Sequence, residues 1–295
     1  MGWRMKILVI GLKGQLARAL IEHGDRTGAE MVAAGRPQID LENPTGLGDL
    51  VGGVRPDIVI NAAAYTAVDR AEDEPEAAHA VNVTGPAALA RAAAAANIPF
   101  LHVSTDYVFD GKKGSLYAET DTVSPVNVYG KTKAEGEAAV LAAHPGALVA
   151  RTSWVYAPEG TNFVRTMLRL GAERDRLKVV ADQFGRPTEA GALADALLAL
   201  GQALRSGAPG GLLHVAAEGD TSWHGFAVAA LRGAGLATPV DEITTADFPT
   251  RAPRPADTRL DLTRARDEYG VVLPHWQESL ERCLAAMGAG GRRER

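Results

Sequence analysis

KILVIGLKGQLA, residues 6–17, predicts a buried strand, a glycine turn and the start of a helix. Lys6–Ile10 is a continuous apolar run, which is typical of a strand buried on both faces. Gly11 and Gly14 permit a tight turn whose backbone N–H groups can approach a pyrophosphate, with the positive end of the helix beneath it. Ala17 is small enough for the helix to pack on the sheet. The pattern therefore favours dinucleotide binding over a turn that holds no ligand.

Short apolar runs alternate with longer helical patterns along the first half of the chain, which predicts βαβ units in a parallel sheet. The expected strands cover residues 6–10, 31–35, 57–61, 99–104, 147–151 and, as a sixth, 177–181, with helices over 15–22, 74–96 and 129–143. We predict an α/β fold, a Rossmann-type doubly wound parallel sheet with a smaller C-terminal α/β substrate lobe. The dinucleotide-binding domain is expected over residues 1–155 and 176–210, and the lobe over 156–175 and 211–295.

The composition argues against several other classes of protein. The chain has 295 residues, a net charge of −5 and 46% hydrophobic residues, which is ordinary for a globular protein and gives no basic footprint for nucleic acid. Its one cysteine, Cys283, can form neither an intrachain disulfide nor, by itself, a metal cluster. No apolar run approaches the ~20 residues that span a bilayer, and the first residues lack a signal-peptide pattern. We expect a cytoplasmic protein without nucleic-acid or membrane partners.

Two further segments fall where a dinucleotide would lie. Arg36 follows the second expected strand, where an arginine can hold the 2′-phosphate of NADP or serve only as a solvated loop charge. Asp40 falls where an acidic residue can face the adenine side. The small side chains of residues 61–64, Asn-Ala-Ala-Ala, would let a cofactor lie flat across the strand ends. The expected cofactor is therefore NADPH, with NADH as the alternative.

A tyrosine and a lysine four residues apart form the candidate catalytic pair. Tyr129 and Lys133 share one face of a predicted helix, so both can point into the same cleft. A nearby ammonium lowers the pKa of a phenol, ~10 when free, and suits the phenol to protonate a carbonyl oxygen as hydride reaches the carbon. Thr105, at the end of the fourth expected strand, can steady the developing alkoxide. The alternative is an exposed helical pair without a catalytic role.

Nearly the whole chain resembles a known family, the extended short-chain dehydrogenases/reductases, and within it the dTDP-4-dehydrorhamnose reductases. The matching blocks are GLKGQL (11–16), NAAAYTAVD (61–69), VN (81–82), STDYVF (104–109), NVYGKTK (127–133), RTSWVY (151–156), NF (162–163), DQFGRPT (182–188) and RP (254–255). Tyr-x-x-x-Lys marks only the superfamily, whereas the blocks at 104–109 and 151–156 are far more specific. The resemblance implies a Rossmann domain with a substrate lobe, and reduction of dTDP-4-dehydro-L-rhamnose to dTDP-L-rhamnose.

The resemblance also implies roles for individual residues. The catalytic set would be Thr105, Tyr129 and Lys133. Together with Arg36, the residues expected at the cofactor are Gly11, Gly14, Gln15, Leu16, Asp40, Leu41, Ala62, Ala63, Tyr65, Tyr129 and Lys133. The expected contacts to the dTDP-sugar are Thr66, Val68, Asp106, Tyr107, Trp154, Asn162 and Arg254. Among these, Arg254 would grip the diphosphate through its guanidinium fork, and Trp154 would stack near the sugar or else be a core aromatic.

Some members of this family are described as dimers joined by a magnesium ion that glutamates hold. The chain departs from them, because Ala19 stands where such a member has a glutamate and the carboxylate of Glu189 is shifted by two positions. We therefore expect no metal site and no magnesium-bridged dimer, but a monomer or a weak homodimer.

Three alternatives remain open at this point. A dehydratase or epimerase of the superfamily would recycle its cofactor, but a 4,6-dehydratase commonly has Asp-Glu after the strand-end threonine, where this chain has Asp106-Tyr107. A related 4-ketoreductase, such as a dihydrostreptose synthase, would carry nearly the same motifs. A non-catalytic regulatory subunit, like the β subunit of methionine adenosyltransferase, resembles the same reductases, and the presence of the catalytic set does not distinguish it from them.

Overall fold

The computed structural model describes residues 5–289, so the outermost residues of both expected domains lie outside the described part. The strands are β1 (Lys6–Ile10), β2 (Glu30–Ala34), β3 (Ile58–Asn61), β4 (Phe100–Thr105), β5 (Leu148–Thr152), β6 (Val155–Tyr156), β7 (Leu177–Val180), β8 (Phe184–Gly185), β9 (Thr188–Glu189), β10 (Gly211–His214), β11 (Ala217–Glu218), β12 (Thr221–Ser222), β13 (Val240–Ile243) and β14 (Leu273–His275). The helices are α1 (Gln15–Arg26), α2 (Leu47–Val54), α3 (Val68–Ala71), α4 (Pro75–His79), α5 (Gly85–Ala95), α6 (Val128–Ala143), α7 (Phe163–Glu173), α8 (Ala190–Arg205), α9 (Trp223–Gly233), α10 (Thr263–Tyr269) and α11 (Trp276–Ala286). Among the helices of residues 5–289, none is long and apolar enough to cross a membrane.

Six parallel strands form the central sheet in the order β2–β1–β3–β4–β5–β10. Successive side chains of β1 face opposite layers, as the pleat of a strand requires. Ile7 and Val9 join a core cluster with α1 and α8, whereas Leu8 and Ile10 join a second cluster with α2, α5 and α6. Helices therefore cover both faces of a parallel sheet, and the predicted doubly wound fold class is confirmed.

The second half of the chain adds a lobe at the carboxyl edge of this sheet. It contains four two-stranded pairs, β7 with β13, β6 with β9, β8 with β12 and β11 with β14. Helices α7, α9 and α11 enclose an aromatic core in which the Phe226 ring lies 5.5 Å from Phe163 and 5.8 Å from Trp276. This lobe supplies the wall that faces the strand ends.

The sixth strand of the central sheet is not the one expected. We predicted it over residues 177–181, but β7 pairs in parallel with β13 in the lobe. The sheet is instead completed by β10, which pairs with β5 and which the prediction had placed in the lobe. Both are short apolar runs in an α/β setting, and periodicity alone does not tell which sheet a strand joins. The expected domain bounds otherwise stay a prediction.

The helix expected over residues 74–96 is interrupted. A π-turn over Ala80–Thr84 separates α4 from α5, and π-turns of this kind often mark functional positions. It carries Asn82, whose side chain accepts a hydrogen bond from the Tyr65 N–H at 2.9 Å and donates one to the Thr132 hydroxyl at 3.1 Å. Asn82 thus links the π-turn to α6 and to the segment after β3.

Candidate active site

The glycine turn after β1 has the backbone geometry that phosphate binding needs. Gly11 has a φ of 130°, which favours glycine, and a Cβ added there would lie 3.0 Å from the Cβ of Ala17. Gly14 is the N-cap of α1 and has no side chain to cap it, so the first N–H groups of the helix could bind an anion. The Ala62 backbone lies against Gly11. Leu16 is different, because its side chain is buried in the core and only its backbone can face a phosphate.

Beside this turn lies a cavity of about 550 Å³, which is within the ordinary range for a small-molecule site. Six residues predicted at the cofactor line it, namely Gly11, Arg36, Asp40, Leu41, Ala63 and Tyr65, and Thr66 lies there too. Arg36 is paired with Asp40, Nε to Oδ2 at 2.8 Å, and with Glu42. The hydrogen bond from Arg36 holds the pKa of Asp40 below its usual range. The cavity therefore has the size, the small backbone-lined wall and the rim charge that an adenine nucleotide requires.

The predicted catalytic residues meet at the carboxyl edge of β4. Thr105 ends this strand, and Tyr129 lies in the first turn of α6, which Asn127 caps by accepting the Gly130 N–H at 2.8 Å. A hydrogen bond joins Tyr129 to Thr105 and lowers the phenol pKa, but burial outweighs it and raises the pKa of Tyr129 to about 12. The expected lowering of this pKa by Lys133 is therefore not found. The phenol is held in its protonated form, which is the form that can donate a proton.

Lys133 is buried and turned toward the sheet. Its Nζ donates to the Val103 carbonyl at 2.7 Å and lies 3.3 Å from Nε2 of His102, whose Nδ1 is 3.0 Å from the amide nitrogen of Asn61. Burial lowers the pKa of Lys133 to about 8, although the carboxylate of Glu137 acts in the opposite direction. Sequence reasoning missed His102 as a partner of this lysine. The signal for it was a histidine inside the otherwise apolar strand residues 100–103.

Asp106 and Tyr107 follow Thr105 at this edge, where Asp106 is buried and Tyr107 is partly buried. Asp106 accepts hydrogen bonds from the Thr105 hydroxyl at 3.1 Å and from the Thr258 hydroxyl, and burial raises its pKa to about 7. The Tyr107 ring lies edge-on to Tyr129 with 5.7 Å between centroids, and burial raises the pKa of its phenol as well. Both predicted substrate residues therefore adjoin the catalytic pair. Thr258 lies 152 positions further along the chain, and no local spacing could reveal it.

Arg254 is held by Asp69 of α3, the residue that follows the predicted substrate residue Val68. Its guanidinium donates to Asp69 Oδ2 at 2.7 Å and to the Ala252 carbonyl at 2.8 Å, and its side chain is only 16% exposed. Asp69 also accepts the Ala252 N–H at 3.0 Å, so α3 and the segment around Ala252 are held together. Asp69 was quoted in the matching block but not assigned a role, because the 185 positions between the two partners hide the ion pair.

Trp154 packs inside the lobe, whereas Asn162 contacts the start of α1. Trp154 has a φ of 48° and stacks on Trp223 with 3.6 Å between ring centroids, beside the aromatic core of the lobe. Asn162 caps α7 and donates from its amide to the Gln15 side chain at 2.8 Å. The structure thus brings Asn162 into contact with Gln15, which follows the glycine turn, whereas the Trp154 ring packs against the aromatic core of the lobe.

The two positions compared with the magnesium-binding relatives, Ala19 and Glu189, lie on α1 and at the start of α8. Ala19 is on α1, and Glu189 caps α8 by accepting the N–H groups of Gly191 and Ala192, each at 2.8 Å. Within residues 5–289, no cluster of three or more His, Cys, Asp or Glu side chains has an arrangement that could hold a metal ion.

A parallel doubly wound sheet that carries a glycine turn after its first strand and a Tyr–Lys pair at its carboxyl edge defines an oxidoreductase of the extended short-chain dehydrogenase/reductase class. The chain belongs more narrowly to the family described as the RmlD substrate binding domain, whose model matches residues 5–289.

Named relatives span almost the full length of the chain. The dTDP-4-dehydrorhamnose reductase of Sinorhizobium fredii is 41% identical over 290 residues, which cover 96% of this chain and 98% of the relative. A crystal structure of a dTDP-4-dehydrorhamnose reductase from Clostridium acetobutylicum superposes with a TM-score of 0.92 at 36% identity, covering 96% of this chain and 100% of that one. The enzyme of that name from Bacillus anthracis, solved in complex with NADP, gives 0.90 at 32% identity, covering 96% and 99%.

Proposed function

We propose that this chain is an NADPH-dependent dTDP-4-dehydrorhamnose reductase, which reduces the 4-keto group of dTDP-4-dehydro-L-rhamnose to give dTDP-L-rhamnose. The observation that carries the proposal is identity of 41% over 96% of the chain to an enzyme of that name, in a structure that brings Thr105 and Tyr129 together. Net reduction also agrees with Asp106-Tyr107, which lacks the glutamate of a 4,6-dehydratase.

The residues around the glycine turn fit a dinucleotide. A side chain at Gly11 would collide with Ala17, and the backbone left open there admits a pyrophosphate. Arg36 lies at the rim of the cavity, where its charge would favour the 2′-phosphate of NADPH over the bare ribose of NADH. Bound NADPH supplies the hydride, and the residues that would hold it are the cofactor set predicted from the sequence.

The remaining chemistry falls to side chains of the chain itself. The Thr105 hydroxyl and the Tyr129 phenol are neighbours. A ketone oxygen beside them would accept a hydrogen bond from Tyr129, and from Thr105 if that hydroxyl turned away from Asp106. As the carbonyl carbon is reduced, its oxygen gains negative charge, and Tyr129 donates its proton to that oxygen. With its pKa raised by burial, Tyr129 is protonated at neutral pH and therefore carries the proton that is donated.

The proposed substrate contacts serve the sugar and the diphosphate. Thr66, Val68, Asp106, Tyr107 and Trp154 would contact or shape the site of the sugar, and Arg254 would bind the diphosphate. Arg254 is already oriented by Asp69, so a diphosphate meets a guanidinium that has lost little freedom. Asn162 is better assigned to the cofactor side, because it contacts Gln15.

A spectrophotometric assay tests the proposal. Purified protein is mixed with dTDP-4-dehydro-L-rhamnose and NADPH, in parallel with the variants Tyr129→Phe and Tyr269→Phe. Tyr269 is the control, since its hydroxyl binds the Pro209 carbonyl far from this edge. We expect NADPH oxidation by wild type and Tyr269→Phe, and a loss of at least about 100-fold for Tyr129→Phe.

Other outcomes would count against specific parts of the proposal. Oxidation that survives Tyr129→Phe would contradict the assigned proton donor. No oxidation with NADPH or NADH would contradict the proposed substrate and favour another keto sugar or the regulatory role. The cytoplasmic location and the monomeric or weakly dimeric state stay predictions.

A further inference from the structure

An arginine at the rim of the cavity beside the glycine turn is held by two carboxylates. Arg36 follows β2, and its guanidinium pairs with Asp40, Nε to Oδ2 at 2.8 Å, and through Nη2 with Glu42. All three side chains line the cavity. An arginine in this position can bind the 2′-phosphate, the group that distinguishes NADPH from NADH. The affinity for that phosphate therefore depends on what the two carboxylates leave available.

A tight turn after Arg36 holds Glu42 in place. The Asn43 N–H donates to the Asp40 carbonyl at 3.1 Å, and the Glu42 N–H donates to the Asp40 carboxylate at 3.0 Å. Leu41, inside the same turn, is buried in the core cluster that α2 and α5 cover. Backbone hydrogen bonds and a buried leucine thus fix the turn, so Glu42 stays beside Arg36 independently of the ion pair.

The charges around the cavity do not add up to a positive site. Within residues 5–289, its charged lining consists of three cations and three anions, namely Lys13, Arg36, Arg70, Asp40, Glu42 and Glu74. Arg70 is paired with Glu74 at 2.7 Å, and the Arg36 group joins one positive charge to two negative ones. A phosphate monoester carries about −1.5 to −2 charges near neutral pH. The 2′-phosphate of NADPH would thus approach a group whose net charge has the same sign.

The carboxylates also occupy the atoms that a phosphate would use. A guanidinium grips phosphate through two parallel N–H groups, and the edge of Arg36 formed by Nε and Nη2 is taken by Asp40 and Glu42. A phosphate must either displace a carboxylate from this edge or bind beside two negative charges, and each route weakens its binding. The bare ribose of NADH requires neither.

We propose that Glu42 is a specificity-determining residue, which limits the preference for NADPH over NADH by competing with the 2′-phosphate for the guanidinium of Arg36. The proposal rests on the reductase function, because it concerns the cofactor of that same site. Asp40 is expected to face the adenine that both cofactors share, whereas Glu42 has no expected contact with either. Glu42 therefore acts on the choice between the cofactors rather than on their common part.

Direct binding of the oxidised cofactors tests the proposal without a sugar substrate. NADP⁺ and NAD⁺ are titrated into the purified full chain by calorimetry, with wild type and Glu42→Gln. Glutamine removes the charge and keeps the backbone N–H that binds Asp40. The ion pair with Arg36 is partly exposed, 59% and 42% for the two side chains, so we expect a moderate gain. The affinity for NADP⁺ should rise about threefold to tenfold, with less than about a twofold change for NAD⁺.

Glu173→Gln is the matched control. Glu173 pairs with Arg169 on α7 at 2.9 Å, is exposed to a similar degree and does not line the cavity, so both affinities should stay as in wild type. An unchanged or weaker affinity of Glu42→Gln for NADP⁺ would overturn the proposal. An equal gain for NADP⁺ and NAD⁺ would do so too, because Glu42 would then act on the common part of the two cofactors.

A second pair of variants tests whether Glu42 acts through Arg36. In an Arg36→Met background the guanidinium is absent, so Glu42→Gln should produce a clearly smaller gain for NADP⁺. An equal gain there would mean that Glu42 repels the phosphate directly and would contradict competition for Arg36. The gain should also shrink as salt is raised, since exposed charges are screened. A gain that is independent of salt would indicate a change in the shape of the turn and would contradict the proposal.

The two proposals can fail separately. Binding is measured without turnover, so a chain that shows the expected gain in Glu42→Gln but reduces no keto sugar would refute only the reductase function. An active reductase in which Glu42→Gln leaves the binding of NADP⁺ unchanged would refute only the role of Glu42. A chain that binds neither dinucleotide would contradict both.

Discussion

Asp106 illustrates how far burial at a single residue can change the pH dependence of stability. An unfolded aspartate has a pKa of ~3.9, whereas burial raises that of Asp106 to about 7. Between these values the folded chain binds more protons than the unfolded chain, so the free energy of unfolding falls as pH rises through this window. Asparagine does not titrate, so Asp106→Asn removes this pH-dependent loss of unfolding free energy. Relative to wild type, we expect the variant to gain roughly 3 kcal/mol between pH 5 and pH 8.

Urea denaturation at pH 5, 6, 7 and 8 measures this difference. The exposed Asp49 on α2 gives the control Asp49→Asn, whose unfolding free energy should run parallel to wild type. If the unfolding free energies of Asp106→Asn and wild type changed with pH in parallel, the Asp106 carboxyl would have nearly the same pKa in the folded and unfolded chain, which would contradict this prediction.

Arg254→Lys tests whether the guanidinium fork recognises the diphosphate. Lysine keeps the charge but cannot make two parallel hydrogen bonds, and it loses the pairing with Asp69 that orients Arg254. We expect the KM for the dTDP-sugar to rise about tenfold with little change in the KM for NADPH. Arg251→Lys is the matched control, because Arg251 pairs with Asp73 but its side chain is 62% exposed. An effect of equal size in both variants would argue against a specific role for Arg254.

At this scale the sequence identified residues that belong to local motifs and missed those that depend on distant contacts. Tyr129 and Lys133 are one helical turn apart, and Thr105 ends a strand, so spacing was sufficient to predict them. Asp69 and His102 were missed as functional partners, since each depends on side chains that only the folded sheet brings near. The pKa of Tyr129 was misjudged for the same reason, because burial cannot be read from spacing.

At the scale of elements, the contact between α6 and the π-turn depends on a glycine. A Cβ added at Gly136 would lie 2.0 Å from the carbonyl oxygen of Asn82, so any larger residue must push the two elements apart. We expect Gly136→Ala to destabilise the protein by about 1–3 kcal/mol in chemical denaturation. In contrast, Gly52→Ala in α2 meets no atom within 4 Å and should be neutral or slightly stabilising. Equal stability of the two variants would contradict this close contact.

The same elements show which parts of the fold the sequence could predict. Strands β1, β3, β4 and β5 were predicted to within one or two residues, because continuous apolar runs identify strands buried on both faces. The π-turn was missed, since its alanine-rich surroundings fit an uninterrupted helix equally well. The sequence assigned β7 to the central sheet in place of β10, because the strands with which they pair are distant in the chain and cannot be identified from local sequence.

On the scale of the whole molecule, the lobe contacts the helix that follows the glycine turn. Asn162 begins α7 in the lobe, yet its amide donates to Gln15 in the first turn of α1. Neither the glycine turn nor the NF block alone predicts this link, because it joins positions 147 residues apart. The phosphate turn is therefore braced by the second half of the chain.

Asn162→Ser tests this brace. Serine keeps an oxygen that can cap α7 but is too short to reach Gln15. The helix is therefore retained, while the hydrogen bond to Gln15 is lost together with those from the Asn162 amide to the Ala157 and Glu159 carbonyls. We expect the KM for NADPH to rise about threefold to tenfold, the worth of one hydrogen bond, with less than about a twofold change for the dTDP-sugar. Gln15→Ala removes the same hydrogen bond from the other side, so the effects of the two variants on the KM for NADPH should be less than additive in the double variant. A larger effect on the sugar than on NADPH would return Asn162 to the substrate side, where the sequence had placed it.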